Sequence, residues 1–352
     1  MNRILIVRLG ALGDVVHAIP VAAALRRAQP SLRIDWLVSA RHREILDLVP
    51  VIDRRLAVND RSGATGGRSI LATLGELRRA RYDVALDLQG LVKSAAFARL
   101  SGARRVIGFS SRFVREPLAR RFYTEVHDPG VAGVHASGKT RHIVAINLGL
   151  LQTLGITAGS PEFPLDSKES EPVRTRVARV SQQVGARFAL LNPGAACPNK
   201  RWPPERLGQV ARTLNERRGL KSVVLWGPGE RPLGERVVVE ADGAAVLAPE
   251  TTIADIVALA RRAAIMISGD TGPTHIAAAV GTPIVGIYGP TRPERNGPWS
   301  VDDVTVSRAT TCQCHHLRQC KLERMCLMDI QVDEVVRAAE RRLDARGREA
   351  IG

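Results

Sequence analysis

Residues suited to chemistry first occur just after the apolar run RILIV of residues 3–7. The segment GALGD ends in Asp14, and His17 follows it by one helical turn. A carboxylate at the lip of a turn can take a proton from a hydroxyl group, so Asp14 is a candidate general base that His17 could orient. Spacing alone favours a simpler role, in which Asp14 caps a helix and His17 covers its face. The segment lacks the G-x-G-x-x-G fingerprint, which disfavours a nicotinamide enzyme.

A second candidate segment, SGDTGPTH, occupies residues 268–275 after the apolar run AAIMI. A small, glycine-containing loop that opens a helix offers backbone N–H groups to a phosphate. The hydroxyl groups of Thr271 and Thr274 could add donors. Asp270 would repel a diphosphate, so it is expected to accept hydrogen bonds from sugar hydroxyl groups instead. The alternative is a routine turn with an aspartate-capped helix start.

A third segment combines NPGAA at residues 192–196 with NKRWP at residues 199–203. It again places a glycine turn after an apolar run. Lys200 and Arg201 bring positive charge to a position where a diphosphate could bind. A solvated basic pair ahead of a helix is the alternative, and it applies to Arg201 more than to Lys200.

Apolar runs and amphipathic stretches alternate along the chain, which predicts parallel sheets with helical crossovers. Strands are predicted at residues 3–7, 34–38, 84–88, 188–191, 222–226, 264–268 and 283–288. Helices are predicted at residues 15–27, 89–100, 204–216, 252–262, 272–280 and 332–345. Residues 160–173 interrupt this order with two prolines and a charged stretch, as expected for a linker.

The predicted fold class is therefore α/β, with two Rossmann-like domains whose parallel sheets face a central cleft. Ligands are expected beyond the carboxyl ends of the strands. Residues 1–165 would form an N-terminal domain and residues 166–330 a C-terminal domain. Residues 331–352 would form a final helix and tail that could pack back on the N-terminal domain.

The 352-residue chain is strongly basic, with 51 Lys and Arg against 35 Asp and Glu and a formal charge of +16. This excess favours an anionic partner such as a phosphorylated substrate, a membrane surface or nucleic acid, although a basic proteome would also produce it. Aromatic residues make up only 4%, which argues against stacked nucleotide bases. No apolar run approaches the ~18 residues of a membrane span, and the N-terminal run is too short for a signal peptide. We therefore expect a cytoplasmic protein.

The chain resembles the lipopolysaccharide heptosyltransferases of glycosyltransferase family 9 over nearly its whole length. The resemblance is carried by GALGDVVH, DLQGLVKSA, REPLARRFY, PNKRWP and SGDTGPTHIAAAVGTPIVGIYGPT. DLQGLVKSA and REPLARRFY are more similar to heptosyltransferase I than to heptosyltransferase II. The resemblance implies a GT-B fold, inversion at the anomeric carbon, no cofactor and no metal. It implies ADP-L-glycero-D-manno-heptose as donor and the Kdo sugar of Kdo-lipid A as acceptor.

The resemblance also implies a set of site residues. Asp14 matches the family's general base. The donor-binding positions are Lys200 for the phosphates, Asp270 near the heptose, Thr271, Gly272 and His275 in the phosphate loop, and Glu230 for the ribose. The acceptor-binding positions are Gly13, His17, Lys93, Arg112, Arg115 and Arg120. The last four are chosen as a basic cluster, because Kdo carboxylates and lipid A phosphates are anionic, although each of them taken alone is better explained as a solvated surface charge. Peripheral contact with the anionic inner membrane surface is expected, and nucleic-acid binding is not.

Other functions stay open at this stage. Heptosyltransferase II or III, or a family member with another nucleotide sugar, would share the donor motifs. A non-enzymatic nucleic-acid-binding protein is suggested by charge alone, and no known recognition motif supports it. The run C-x-C-x5-C-x5-C, made by Cys312, Cys314, Cys320 and Cys326 around His315 and His316, could bind structural zinc. Its irregular spacing favours reduced, partly buried thiols.

Overall fold

The computed structural model describes residues 1–59, 64–130, 140–315, 317, 319–320 and 322–349, with backbone only for residues 64–69 and 346–349. The chain divides into two units, Met1–Asp166 and Ser167–Gly352. Each unit is built around one six-stranded parallel sheet. Among the described residues, no helix combines the length and apolar character needed to cross a bilayer.

The sheet of the first unit has the strand order β3-β2-β1-β4-β5-β6. Its strands are β1 (Arg3–Val7), β2 (Arg33–Ser39), β3 (Arg54–Val58), β4 (Val84–Asp87), β5 (Arg105–Phe109) and β6 (Glu125–His127). Its helices are α1 (Leu12–Val16), α2 (Ile19–Ala28), α3 (Arg43–Asp47), α4 (Ala64–Ala80), α5 (Val92–Leu100) and α6 (Ile143–Gly149). Short 3-10 helices cover Ala40–His42, Pro117–Phe122 and Leu150–Leu154.

The central strand β1 shows why this sheet forms. Ile4 lies between Ile34 of β2 and Val84 of β4, and Ile4 and Ile34 are fully buried. A strand with neighbours on both sides and helices on both faces must be apolar throughout, and the RILIV run is apolar at every position after its first residue. The carboxyl ends of β1, β4 and β5 therefore lie side by side, and the loops that follow them form one edge of the unit.

The sheet of the second unit has the order β12-β11-β10-β7-β8-β9. Its strands are β7 (Ala189–Asn192), β8 (Ser222–Val224), β9 (Ala245–Leu247), β10 (Ile265–Gly269), β11 (Ile284–Tyr288) and β12 (Val304–Ser307). Its helices are α7 (Glu171–Val184), α8 (Pro204–Arg218), α9 (Arg231–Ala241), α10 (Ile253–Arg262), α11 (Gly272–Ala279), α12 (Pro293–Asn296) and α13 (Val332–Glu349). Two 3-10 helices cover Pro198–Lys200 and Cys326–Asp329.

The last helix, α13, packs on α8 and on the β10-β11-β12 side of its own sheet. Val335, Val336 and Ala339 are buried there, and the buried Arg342 forms an ion pair of 3.0 Å with Asp303. Burial raises the pKa of Asp303, and the hydrogen bond from Arg342 opposes that shift. A contact of this helix with the first unit stays a prediction.

Several element boundaries differ from those expected. The single helix expected at residues 15–27 is two helices, because the chain turns at His17 and Ala18 and α2 restarts with Pro20 near its first position, where a missing N–H costs nothing. The expected linker overlaps α7, which begins at Glu171. Short or edge strands, such as β3 with its RRLAV sequence, lack the continuous apolar run that marks a central strand.

Candidate functional site

Asp14 lies in the first turn of α1, directly beyond the end of β1. Its carboxylate accepts a hydrogen bond of 3.1 Å from the backbone N–H of Ala11 and forms an ion pair of 2.9 Å with Arg8. The side chain is 32% exposed. Asp14 therefore accepts a hydrogen bond from a backbone N–H at the start of a helix, as the spacing suggested. Part of its carboxylate is also exposed to solvent. Its role as a general base stays a prediction.

Arg8 is a part of this arrangement that the sequence reasoning missed. Its guanidinium is buried, and it donates both to the carbonyl of Leu88 after β4 and to Asp14. Its Nε atom has no hydrogen-bond partner within the described part of the chain. Because the Arg8 cation is desolvated, losing its carboxylate partner would be costly, so the ion pair restrains the partly exposed Asp14 side chain. The only available signal was an arginine directly after a buried strand.

Gly13 and His17, expected on the acceptor side, are both buried. The imidazole of His17 packs edge-on against that of His142, with ring centroids 5.6 Å apart. The His17 carbonyl accepts a hydrogen bond of 3.2 Å from Asn147 on α6. These contacts lie inside the first unit and fix the path of the loop that carries Asp14. A direct contact of either residue with an acceptor stays a prediction.

The DLQGLVKSA motif contains a fully buried carboxylate, Asp87, at the end of β4. It accepts hydrogen bonds of 2.6 Å from the Tyr123 hydroxyl and 3.0 Å from the Ser94 hydroxyl. The backbone N–H of Gln89 donates a third bond of 2.9 Å. Burial raises the pKa of Asp87, although these hydrogen bonds oppose the shift. The Gln89 side chain in turn accepts a hydrogen bond from the backbone of Leu9, so this network ties the β4 loop to the β1 loop.

The four predicted acceptor-side cations lie on two elements that pack together, α5 and the segment that follows β5. Lys93 lies in the first turn of α5. Arg112 forms an ion pair of 2.8 Å with Asp128 and holds the pKa of that carboxyl below its usual range. Arg115 and Arg120 are exposed, and the Arg120 guanidinium donates to the backbone of Tyr123. All four cations thus lie in the first unit, and Asp128 offsets the charge of Arg112. Their grouping as an acceptor site stays a prediction.

In the second unit, strand register brings two of the predicted loops together. Ser268 at the end of β10 lies opposite Asn192 at the end of β7. Lys200, on the 3-10 helix after β7, forms an ion pair of 2.6 Å with Asp270 in the loop after β10. The other carboxylate oxygen of Asp270 lies 3.0 Å from Nε2 of His275 on α11. Lys200, Asp270 and His275 therefore form one linked polar group.

The charge state of Asp270 follows from these contacts. The side chain is 10% exposed, and burial disfavours its ionised form. The hydrogen bond from His275 and the charge of Lys200 outweigh burial and hold the pKa of Asp270 well below its usual range. The carboxylate is thus fixed as an anion, with one partner on each oxygen.

Asp270→Asn is expected to lower the free energy of unfolding by about 2 kcal/mol near neutral pH, the scale of a hydrogen bond to a charged group. Because the folded-state pKa is lowered, the carboxylate stabilises the fold above the ordinary aspartate pKa of about 3.9, and this stabilisation is lost as pH falls towards the folded value. Urea unfolding of both proteins should show a constant difference from about pH 6 to pH 8 that shrinks below about pH 4. An equal difference at acid and neutral pH would contradict the assigned ion pair.

A network of small polar side chains stabilises the predicted phosphate-binding loop of residues 268–275. The Asn192 amide donates to the hydroxyl groups of Ser268 and Thr271 at 3.3 and 3.1 Å. Thr271 contacts the Thr274 hydroxyl at 2.8 Å, and Thr274 donates to the carbonyl of Gly269 at 2.8 Å. Thr274 is buried, and its hydroxyl is used inside the loop, so its suggested role as a phosphate donor stays a prediction. Thr271 and the backbone at Gly272 lie at the start of α11, as the motif predicted.

Glu230, at the start of α9, lies against two glycine loops. Its carboxylate accepts a hydrogen bond of 3.2 Å from the backbone N–H of Gly227 and lies 3.6 Å from the Arg201 guanidinium. A Cβ atom at Gly194 would collide with the same carboxylate. Gly194 in the NPGAA loop is therefore required for the observed position of Glu230. The sequence analysis predicted a glycine turn followed by basic residues in this segment, but it did not predict the contact with Glu230.

A cavity of about 350 Å³ lies at the ends of β8 and β9, next to the segment that carries Glu230. The indole N–H of Trp226 donates to the carbonyl of Ala248 at 2.8 Å, and the Arg231 guanidinium lies 5.6 Å from the Trp226 ring. Leu247 and Pro249 add apolar surface. Sequence reasoning missed this cavity, because its walls are ordinary side chains brought together by helix α7 and the ends of two neighbouring strands.

The four clustered cysteines are free thiols, with Cys312 and Cys314 buried and Cys320 and Cys326 partly exposed. Among the described residues, no group of three or more His, Cys, Asp or Glu side chains is arranged to hold a metal ion. The reduced thiols that the irregular spacing favoured, and the zinc alternative, both stay predictions. His316 lies outside the described residues.

Comparison with known proteins decides the family. Residues 70–326 match the family model described as glycosyltransferase family 9 (heptosyltransferase). The chain belongs to glycosyltransferase family 9. A Pseudomonas aeruginosa protein named lipopolysaccharide heptosyltransferase 1 is 30% identical over 320 residues, which cover 88% of this chain and 85% of the relative. The predicted family and the predicted enzyme class, a glycosyltransferase, are confirmed.

Solved structures of the family show the same fold. A family 9 glycosyltransferase from Veillonella parvula superposes with a TM-score of 0.80 at 23% identity, covering 97% of both chains. The E. coli heptosyltransferase WaaC with ADP superposes with a TM-score of 0.75 at 23% identity, covering 97% of this chain and 99% of that one. The predicted GT-B fold is confirmed. The roles of the individual site residues stay predictions.

Proposed function

We propose that this family 9 glycosyltransferase moves L-glycero-D-manno-heptose from ADP-heptose to the Kdo sugar of Kdo-lipid A. The observation that carries the proposal is the group formed by Lys200, Asp270 and His275 at the start of α11. It offers a cation and a helix start to a diphosphate, and a fixed carboxylate to sugar hydroxyl groups. The similarity to a protein named lipopolysaccharide heptosyltransferase 1 supports this acceptor over the acceptors of heptosyltransferases II and III.

Donor binding would rearrange one contact. On arrival of the diphosphate, Lys200 would turn from Asp270 to the phosphate oxygens, while the backbone at Thr271 and Gly272 donates from the helix start. Asp270 would keep His275 as a partner and accept hydrogen bonds from the heptose. Glu230 would accept hydrogen bonds from the ribose hydroxyl groups. The cavity beside Trp226 would hold the adenine, since Trp226, Leu247 and Pro249 offer apolar surface to a planar base and its polar lining residues, such as Gln183, could contact the base edge.

The transfer step follows from the predicted base, Asp14, and from the predicted phosphate-binding group, Lys200 with the start of α11. Asp14 would remove the proton from an acceptor hydroxyl as that oxygen attacks the anomeric carbon of the heptose. ADP would leave from the opposite face, which inverts the anomeric centre. Lys200 and the N-terminus of α11 would stabilise the negative charge that develops on the leaving diphosphate. Arg8 would hold the Asp14 carboxylate in position throughout.

The decisive experiment is release of ADP from ADP-heptose, measured with and without Kdo-lipid A and in the presence of EDTA. Release that depends on Kdo-lipid A and survives EDTA supports the donor, the acceptor and metal independence. Release only with a heptosylated acceptor would move the assignment to heptosyltransferase II or III. Turnover of another nucleotide sugar in place of ADP-heptose would overturn the donor assignment.

Gly194→Ala is expected to weaken ADP binding by about fivefold to tenfold, the scale of one lost hydrogen bond. The new methyl group would displace the Glu230 carboxylate. The free energy of unfolding should change by less than about 1 kcal/mol, because the displaced atoms end a flexible side chain. Calorimetric ADP titration measures the effect. Glu230→Gln is the matched comparison, and the double variant should bind no more weakly than the weaker single one; additive losses would mean that Gly194 acts independently of Glu230.

We also propose that the enzyme works in the cytoplasm, in contact with the anionic membrane surface that holds its acceptor. The formal charge of +16 and the exposed Arg115 and Arg120 support this. Sedimentation with vesicles should show binding that rises with anionic lipid and falls with salt. Equal binding to neutral and anionic vesicles would contradict it.

A further inference from the structure

The cysteine-bearing segment from Cys312 to Cys326 packs against the elements that carry the donor residues. The Asn199 side chain, adjacent to Lys200, donates a hydrogen bond of 3.0 Å to the backbone carbonyl of Leu317. Asn199 is itself buried. The His315 ring lies 2.5 Å from the carbonyl of Pro290, just after β11. This segment thus supports the 3-10 helix of Lys200 from one side.

Two of the thiols in this segment lie within bonding reach after a small movement. The sulfur atoms of Cys314 and Cys320 are 3.1 Å apart, and Cys314 is 2% exposed while Cys320 is partly exposed. Burial and a hydrogen bond with Cys312 raise the pKa of Cys326, and Cys312 also raises the pKa of Cys320, so the four thiols form one cluster in which Cys314 and Cys320 are in direct contact. Leu317 lies between Cys314 and Cys320 in sequence, and its carbonyl accepts the hydrogen bond from Asn199.

We propose that Cys314 and Cys320 are a redox-active pair, which a small-molecule disulfide such as oxidised glutathione converts to an intramolecular disulfide that alters the donor site through Leu317 and Asn199. The disulfide itself is independent of the function proposed above. Its effect on ADP-heptose use rests on that function.

The chemistry is thiol–disulfide exchange. The more exposed Cys320 loses its proton, and its thiolate attacks one sulfur of the small disulfide, releasing one small thiol. Cys314 then loses its proton and attacks the Cys320 sulfur of the mixed disulfide, which releases the second small thiol. The two protein thiols give up two electrons and two protons to the small disulfide. The hydrogen bond with Cys314 raises the pKa of Cys320, so the reaction should accelerate as pH rises.

Bond formation draws the Cys314 and Cys320 side chains together, and we expect part of this movement to reach the backbone at Leu317. A disulfide bond is about 2.05 Å long, so the two sulfur atoms must approach by roughly 1 Å. Leu317 lies midway between them in sequence, and a shift of its carbonyl would weaken its hydrogen bond to Asn199. Because Asn199 adjoins Lys200, oxidation is expected to affect donor binding more than the transfer step.

The test treats the full-length enzyme with oxidised glutathione and then with dithiothreitol. Peptide mass mapping should show Cys314 joined to Cys320, with the loss of two hydrogen atoms. The KM for ADP-heptose should rise by about fivefold, the effect of one lost hydrogen bond, with kcat changed by less than about twofold. Dithiothreitol should restore the original KM.

Matched variants separate this pair from the rest of the cluster. Cys314→Ser and Cys320→Ser should abolish the response to oxidised glutathione, whereas Cys326→Ser should keep it. A bond between Cys312 and Cys326, or a mapped Cys314–Cys320 bond with unchanged KM, would overturn the proposal. So would stoichiometric metal that protects all four thiols from oxidation. Absence of any turnover of ADP-heptose would count against the proposed function alone, because the mapped disulfide is read without it.

Discussion

Asp14→Asn is expected to lower kcat by about 10²–10⁴-fold, the usual contribution of a positioned general base. The amide keeps the size of the carboxylate and can still accept the hydrogen bond that Asp14 receives from Ala11. It cannot take a proton from the acceptor hydroxyl. ADP binding should persist, since the proposed donor groups lie in the second unit. Acceptor-dependent ADP release and calorimetric ADP binding, measured on the same preparation, give both quantities.

A control is needed because Asp14 also neutralises Arg8. Asp47→Asn removes an exposed carboxylate at the end of α3 in the same unit, where it lies 3.8 Å from Arg43. That variant should keep kcat within about twofold, as expected for a weak surface pair. If Asp14→Asn kept near-normal turnover in a folded protein, the base would have to be another group. If it unfolded, Arg8→Met with Asp14→Asn would test whether the isolated Arg8 cation was the cause.

Most interior strands of the two sheets were predictable because burial on two faces requires apolar residues in succession. β1, β4, β7, β10 and β11 all carry such runs. The interior strand β5, which is buried at four of its five positions, was missed. Fewer residues of the edge strands β3 and β12 are buried, so their sequences mix polar or charged residues with apolar ones. The turn between α1 and α2 was missed for another reason: the apolar pattern continues across His17, which is buried although it lies between the two helices.

The candidate site was predictable as a set of separate loops. Lys200 and Asp270 lie seventy residues apart in sequence, and their loops meet only because β7 and β10 are neighbours in register. A sequence shows that each loop follows a strand, but it does not show which strands are adjacent. For the same reason the Arg8 contact with the β4 loop, the Arg112 pair with Asp128 and the Glu230 position against Gly194 became visible only in the structure.

Lys200→Ala is expected to lower kcat/KM for the donor by about 10²–10³-fold, the scale for losing one group that stabilises transition-state charge. Two effects combine in this variant. The diphosphate loses a cation, and Asp270 loses the partner that lies 2.6 Å from its carboxylate. The remaining contact to His275 leaves Asp270 an anion. Without Lys200, this anion would repel the phosphates of the donor. Initial rates at varied ADP-heptose, with ADP titration calorimetry, measure the loss.

The double variant with Asp270→Asn separates these two effects. If repulsion by the Asp270 anion, left without its lysine partner, contributes, the double variant should bind ADP more tightly than Lys200→Ala alone. Such non-additivity is expected for groups in direct contact. Asp270→Asn alone should weaken heptose recognition and leave ADP affinity nearly intact. Lys221→Ala, which removes a lysine at the opposite end of β8 from the loops, is the matched control and should keep donor kinetics unchanged. Unchanged donor kinetics in Lys200→Ala would remove this lysine from the phosphate site, and strictly additive losses would mean that Asp270 acts on the sugar without sensing the diphosphate.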